Sequence, residues 1–181
     1  MKDPSSDELH TKQPYSLPDP YPKPRVTAEN HYYASLLLED YAGIAGELTA
    51  INQYIYHYIT LQANYPEISI LAREVAITEM KHLELIGKTI QLLGKRPIMR
   101  CNQDNVNRFW SAKFVYYGKD VYDKLSANIQ HEMNAICNYR NHQRHIADPR
   151  IQELLERIIL DEKYHLELFS QCRNELSNKF Y

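Results

Sequence analysis

The chain contains the pattern Glu-x-x-His twice, at residues 79–82 (EMKH) and 162–165 (EKYH). A single glutamate precedes each pattern within a mostly apolar run: Glu47 lies before the first and Glu132 before the second, at nearly the same interval. Glu and His three positions apart share one face of an α-helix. The repeated pattern therefore predicts that four carboxylates and two imidazoles face one another between helices.

The sequence around the two single glutamates also repeats. Residues 47–54 (ELTAINQY) match residues 132–139 (EMNAICNY), and His57 and His142 each follow ten residues after their glutamate. The offset between the single glutamates is almost the same as the offset between the Glu-x-x-His patterns. Such internal similarity indicates two helical hairpins related by a pseudo-twofold axis.

Helical periodicity predicts four long helices, at about 28–63, 66–93, 121–146 and 149–177. Pro66 and Pro149 fit the first turn of a helix, Asp120 is a good N-cap, and Gly94 fits just past a helix end. Two short turns and one long link, residues 95–119, connect the helices. We therefore predict an all-α bundle of two antiparallel hairpins, joined by a crossover that makes the second and third helices parallel.

Distances from the turns place the six groups at one level. In the first hairpin Glu47 precedes Tyr65, at the turn, by about as many positions as Glu79 and His82 follow it. The second hairpin repeats this arrangement around its turn at Asp148. Equal distances from the turn of an antiparallel pair mean equal height.

Four glutamates buried at one level would repel one another, and a buried ionised carboxylate costs several kcal/mol unless it is paired. Two divalent cations remove this cost. Carboxylate oxygens with one imidazole for each ion form a shell suited to iron or manganese. The alternative, that the glutamates are ordinary surface charges, conflicts with the apolar residues around Glu47.

The motifs resemble the ferritin-like superfamily, in which two helices each supply a Glu and two others each supply Glu-x-x-His. The resemblance covers about residues 28–177, and bacterioferritin and rubrerythrin are nearest in pattern. It implies a ferritin-like four-helix bundle that binds two iron or two manganese ions. The implied ligands are Glu47, Glu79, His82, Glu132, Glu162 and His165. It also implies that Glu79 and Glu162 bridge the two ions.

The resemblance implies supporting roles for further residues. Tyr54 and Tyr139 would hydrogen-bond the ligand carboxylates and take part in one-electron chemistry, although simple packing in the core stays open for both. His57 and His142 fall to the side of the ligand face, so we expect flanking or gating residues. We expect a surface position for a separate group of residues: His131, His145, Glu84 and Glu167.

Asp161 would hold the imidazole of His82, as the matching position does in this family. Thr78 occupies the equivalent position in the first hairpin, so we expect a hydroxyl or a water to orient His165 and the two metal positions to differ. Met80 coincides with the haem-binding methionine of bacterioferritins. We expect it to be a surface or interface residue and not a haem ligand.

Residues 1–26 hold six of the nine prolines and predict a Pro-rich N-terminal arm before a bundle domain at 27–181. The arm is either a disordered tail or a segment that lies on a neighbouring surface. The net charge of −2 favours neither a nucleic-acid nor a membrane partner. Three cysteines without a Cys-x-x-Cys pair predict a reducing cytoplasm and no rubredoxin domain.

Together these features predict a cytoplasmic oxidoreductase, in the form of a homo-oligomer such as a dimer. It would reduce peroxide or dioxygen, or oxidise iron(II), and a peroxidase would need an external electron donor. One alternative is a dimanganese catalase. Another is a non-catalytic protein that handles iron or builds an assembly such as a coat or shell.

Overall fold

The computed structural model of the protein describes residues 15–103 and 106–179. These form five α-helices, a two-stranded antiparallel sheet and one short 3-10 helix. In chain order the elements are α1 (His31–Ala42), α2 (Glu47–Leu61), α3 (Pro66–Leu92), β1 (Arg100–Gln103), β2 (Val106–Phe109), the 3-10 helix (Ala112–Phe114), α4 (Val121–His145) and α5 (Pro149–Lys179).

The bundle consists of the hairpins α2–α3 and α4–α5. Helices α2 and α4 run antiparallel, because Tyr54 contacts Glu132 while Tyr139, further along α4, contacts the earlier Glu47. Since α3 runs antiparallel to α2, helices α3 and α4 are parallel and the link between them crosses the bundle. The predicted four-helix bundle with a long crossover is confirmed.

The predicted single helix at 28–63 is wrong, because residues 43–46 separate α1 from α2. Gly43 is extended, with φ −77° and ψ −178°, and its carbonyl accepts a 2.6 Å hydrogen bond from the Thr49 hydroxyl. A Cβ on Gly46 would lie only 2.6 Å from the carbonyl oxygen of Asp40. A Cβ on Gly43 would likewise collide with the carbonyl oxygen of Glu39, so the break needs both glycines, and it makes Glu47 the first residue of α2.

The helix starts follow the predicted capping. The Asp120 side chain accepts from the Asp123 amide, and Asp148 accepts from the Arg150 amide. Pro66 lies in the first turn of α3. The small sheet within the link was not predicted, since its two four-residue strands lack a clear alternation of apolar and polar residues.

Two apolar layers flank the level of the six predicted ligands. One contains Leu37, Ile86, Ile90, Tyr139, Leu155 and Ile158, and the other contains Tyr54, Val75, Leu125, Ile129 and Phe169. Each layer draws on helices from both hairpins. The polar level is therefore closed above and below by close-packed side chains that exclude water.

Residues 15–26, here called the strap, are not helical and lie against α3 and α5. They are anchored at their end by a 2.6 Å hydrogen bond from the Thr27 amide to Asp148. The first fourteen residues of the predicted arm lie outside the described residues.

Candidate metal centre

The structure brings all six predicted ligands together at the middle of the bundle. They form two overlapping sets whose ligand atoms lie within 4.8 Å of one another: Glu47, Glu79, His82 and Glu162, and Glu79, Glu132, Glu162 and His165. None of the six is more than 3% exposed. Glu79 and Glu162 belong to both sets, the arrangement expected of carboxylates that bridge two ions.

Both imidazoles turn the same nitrogen toward the carboxylates. Nδ1 of His82 lies 2.8 Å from Oε2 of Glu79 and 3.0 Å from Oε1 of Glu162. Nδ1 of His165 lies 2.9 Å from Oε1 of Glu79. When the outer Nε2 carries the proton, the Nδ1 lone pair is directed at the carboxylate cluster and is free to bind a metal.

Several inward-facing atoms have no well-directed hydrogen bond among the described residues, although three of them lie within ion-pair distance of a neighbouring ligand. They are Oε1 of Glu79, Oε2 of Glu132, Oε1 of Glu162 and Nδ1 of His165. An unpartnered buried carboxylate oxygen is costly. Four such atoms converging on one region fit a pair of cations that coordinate them, and the mixed oxygen and nitrogen donors suit iron or manganese.

The electrostatics of the cluster favour cations as well. Burial raises the pKa of Glu47 and of Glu132 well above the usual value, and the carboxylates of Glu162 and Glu79 raise both further. Burial also opposes ionisation of Glu162, but hydrogen bonds from His165 and His82 outweigh it and lower that pKa well below normal. Without metal the imidazoles thus supply positive charge that two cations would otherwise provide.

The two core tyrosines connect the hairpins crosswise. The hydroxyl of Tyr54 in α2 donates to Oε1 of Glu132, and the hydroxyl of Tyr139 in α4 donates to Oε1 of Glu47. Burial, with nearby carboxylates, raises the pKa of both phenols well above the usual value, so both remain proton donors. Glu47 and Glu132 each belong to one ligand set and are here called the terminal glutamates. Each has one oxygen fixed by a phenol and the other directed inward.

The outer nitrogens of the two imidazoles have different partners. Nε2 of His82 lies 3.1 Å from Oδ2 of Asp161, which is the contact that the resemblance implied. Nε2 of His165 lies 2.8 Å from the backbone carbonyl of Tyr15, in the strap. The expectation that a hydroxyl or water orients His165 is wrong: the Thr78 hydroxyl instead donates to that same carbonyl, at 3.2 Å. Sequence spacing could not reveal this partner, because it is a main-chain group in a segment far from both helices along the chain.

The flanking histidines are buried and hydrogen-bonded. His57 contacts Asn128 and the Tyr116 carbonyl, and His142 contacts Asp40. The expectation of a solvated His131 is wrong, because this residue is only 8% exposed and its ring packs edge-on against Tyr54. The residues one turn away on α4 are small or polar, namely Ala127, Asn128, Asn134 and Ala135, so helical spacing gave no clear signal of this burial.

The remaining predicted surface residues are exposed. His145 and Glu167 lie on the outside of the bundle, and Glu84 forms ion pairs with Lys81 and Lys88. Met80 is 46% exposed on α3.

Two surface cavities lie beside the break between α1 and α2. One of about 320 Å³ is lined by Glu39, Gly43 and Cys137, and one of about 350 Å³ is lined by Gln53, Tyr116 and His131. Both also contact Ile44 and Asn134. None of the six predicted ligands lines either cavity.

A four-helix bundle with two overlapping sets of buried Glu and His ligands defines a ferritin-like dinuclear carboxylate protein. The chain belongs to the rubrerythrin family, whose profile matches residues 41–172. Among the described residues, no helix combines the length and apolar character needed to cross a membrane.

Individual relatives include both catalases and ferritins. A probable manganese catalase of Clostridium acetobutylicum is 24% identical over 176 residues, which cover 86% of this chain and 76% of that protein. A bacterioferritin of Desulfovibrio desulfuricans is 30% identical over 135 residues, covering 74% and 72%. The crystal structure of KatB, a manganese catalase from Anabaena, superposes with a TM-score of 0.78 and 26% identity, over 93% of this chain and 80% of that one.

Proposed function

We propose that this protein is a dinuclear-metal oxidoreductase that disproportionates hydrogen peroxide, with manganese as the first metal to test. The observation that carries the proposal is the pair of overlapping, buried ligand sets, whose inward atoms include several with no well-directed hydrogen bond. The likeness to the Anabaena manganese catalase, which spans most of both chains, supports the choice of reaction.

The bound metal pair would supply a reversible two-electron store, the chemistry that side chains of this type lack. Two molecules of peroxide give two of water and one of dioxygen, so one peroxide acts as reductant for the other. No external electron donor is then needed.

The chain's own residues hold and shield the ions. Glu79 and Glu162 would be shared by both ions, while the phenols of Tyr54 and Tyr139 keep the outer oxygens of the terminal glutamates occupied. The apolar layers on either side exclude bulk water, which strengthens electrostatic interactions inside the site.

A second candidate is oxidation of iron(II), which the 30% identity to a bacterioferritin favours. The same ligands would then bind iron as substrate and not only as a resident cofactor. The two candidates differ in their products. Disproportionation releases dioxygen from peroxide, whereas iron(II) oxidation consumes an oxidant and yields iron(III).

The test begins with the metal content of protein purified from its native host, followed by reconstitution with manganese or with iron. Dioxygen release from peroxide without added reductant, at one O₂ for every two H₂O₂, supports the first proposal. Iron(II) oxidation without dioxygen release supports the second. Redox-inert metal in both assays would favour a protein in which the ions only stabilise the bundle of an assembly.

Chelation should also lower the melting temperature. Removal of the ions leaves only the two imidazoles to balance the buried carboxylates, and binding at a thousandfold excess over Kd is worth about 4 kcal/mol for each ion. Each kcal/mol shifts the melting temperature of a chain of this size by about 2–4 °C. Differential scanning calorimetry before and after complete metal removal measures the change, and an unchanged curve would contradict a buried dinuclear site.

A further inference from the structure

The strap reaches the outer side of the metal centre at three points. The Tyr15 carbonyl lies 2.8 Å from Nε2 of His165. The Leu17 amide donates to Oδ1 of Asp161 at 2.8 Å, and the Tyr21 hydroxyl donates to Oδ2 of the same carboxylate at 2.5 Å. The Tyr21 hydroxyl also lies 3.3 Å from Nε2 of His82. Both imidazoles therefore depend on the strap, one directly and one mainly through Asp161.

A buried arginine fixes the strap in this position. Arg157 of α5 is only 5% exposed, and it donates to the carbonyls of Leu17 and Asp19, both at 2.8 Å. Its guanidinium group stacks 4.3 Å from the ring centre of Tyr21 and lies 2.8 Å from Oδ2 of Asp161. One side chain thus joins the strap to the carboxylate that holds His82.

We propose that the strap is a positioning segment of the metal centre, which orients both ligand histidines and sets the affinity of each metal position separately. A hydrogen-bond acceptor at the outer nitrogen keeps the proton on Nε2 and the lone pair of Nδ1 directed inward. The inference rests on the proposed metal-binding function but does not depend on which reaction follows.

The two positions would depend on the strap to different extents. His165 has only the Tyr15 carbonyl at its outer nitrogen among the described contacts, and that acceptor leaves when the strap leaves. His82 keeps Asp161, which belongs to α5 and stays in the bundle. Loss of the strap should therefore weaken binding of the ion beside His165 more than binding of the ion beside His82.

The first experiment compares a variant that begins at Lys23 with one that begins at Tyr15. The first lacks the carbonyl of Tyr15, the amide of Leu17 and the hydroxyl of Tyr21, whereas the second keeps every described strap contact. Manganese(II) binding is measured by competition with a chromophoric chelator, together with helical circular dichroism. Loss of an outer partner typically lowers metal affinity by about 10–100-fold. In the variant beginning at Lys23 we expect that fall for the ion beside His165 and a smaller fall for the ion beside His82. The variant beginning at Tyr15 should bind both ions with the affinities of the full-length protein.

The second experiment uses Tyr21→Phe, which keeps the fold and the ring packing but removes the hydroxyl beside Asp161 and His82. We expect weaker manganese(II) binding at the position beside His82 and unchanged binding at the position beside His165. Tyr33→Phe is the matched control, since it removes a phenolic oxygen that accepts a hydrogen bond from the Ala147 amide, far from the centre.

The strap proposal is overturned if the folded variant beginning at Lys23 binds both ions with full-length affinity. It is also overturned if Tyr21→Phe and Tyr33→Phe change metal binding equally. The proposed reaction fails separately, when the full-length protein binds two ions but does not consume peroxide. Absence of metal binding in the full-length protein would remove both proposals.

Discussion

His57 in the first hairpin and His142 in the second occupy matching positions, ten residues after Glu47 and Glu132. Their surroundings nevertheless favour the neutral form of His57 and the protonated form of His142. Burial lowers the pKa of His57 to about 4, since its partners are the neutral Asn128 side chain and a backbone carbonyl. Burial also disfavours the charged form of His142, but the carboxylates in α1 outweigh it and raise its pKa to about 10.

The acidic partners of His142 come from the helix that precedes the break. Nδ1 of His142 lies 2.8 Å from Oδ2 of Asp40, and Nε2 lies 3.5 Å from Oε2 of Glu39. Burial raises the pKa of Asp40 too. We assign the charge-separated pair because the imidazole is much the stronger base of the two. Among the described residues no helix corresponding to α1 precedes α4. His57 therefore has no acidic partner that corresponds to Asp40.

The two hairpins therefore agree in the groups that face the metal centre and differ one layer further out. The carboxylates, imidazoles and crossed phenols form matching pairs. The outer partners do not match: Asp161 holds His82, whereas a strap carbonyl holds His165. A twofold ligand set can thus have two unequal metal positions, because the groups that orient the ligands come from unrelated parts of the chain.

The largest expected effect separates shared from terminal carboxylates. Glu79→Gln should lose both ions, since Glu79 belongs to both ligand sets, whereas Glu47→Gln should lose only the ion beside His82. At saturating metal each lost ion removes about 4 kcal/mol of stabilisation. Metal analysis and calorimetry measure the two losses, with the exposed Glu84→Gln as control. Two ions retained by Glu79→Gln would contradict the shared role.

The second prediction tests the unequal histidines. His142→Gln should cost about 3–5 kcal/mol near neutral pH, because it leaves the buried Asp40 carboxylate without its partner. His57→Gln should cost less, about 1–3 kcal/mol, because it only disturbs neutral hydrogen bonds. Chemical denaturation measures both values. Equal costs would show that the two environments are not different in charge.

The pH dependence of these two variants should run in opposite directions. The contribution of His142 is fully present below its usual pKa of 6.5 and is lost as the pH rises toward and through about 10. The contribution of His57 is fully present above 6.5 and is lost as the pH falls through about 4. The free energy of unfolding lost in His142→Gln should therefore shrink in alkali. Chemical denaturation of the variant and the unmodified protein, from about pH 5 to about pH 10, measures this change. A cost independent of pH would exclude a charged His142.

The smallest expected difference concerns the crossed phenols. Tyr54→Phe and Tyr139→Phe each remove a hydroxyl donated to a buried carboxylate, and each should cost about 1.5–3 kcal/mol. Because the two contacts match, we expect nearly equal losses of stability and equal falls in manganese affinity. A large difference between them would extend the asymmetry of the hairpins to the groups that face the centre.

Much of this arrangement could be predicted from repeated spacing. Matching distances from the two turns predicted the common level of the four glutamates, because helical rise fixes height along a hairpin. The glycines at 43 and 46 were an available signal for the helix break. The burial of His131 had no such signal, because the positions one turn away on α4 are alanines and asparagines.

The sequence by itself determined the four-helix bundle, the pairing of its helices and the six residues that meet at the centre, because these follow from local periodicity and from distances along two short hairpins. Only the tertiary structure decided which groups orient the ligand histidines and which groups set the charge of the histidines beside them. The strap carbonyl at His165 and the α1 carboxylates at His142 arrive from more than a hundred residues away. A main-chain acceptor has no sequence pattern, and a distant carboxylate acquires its role only when the chain folds onto it.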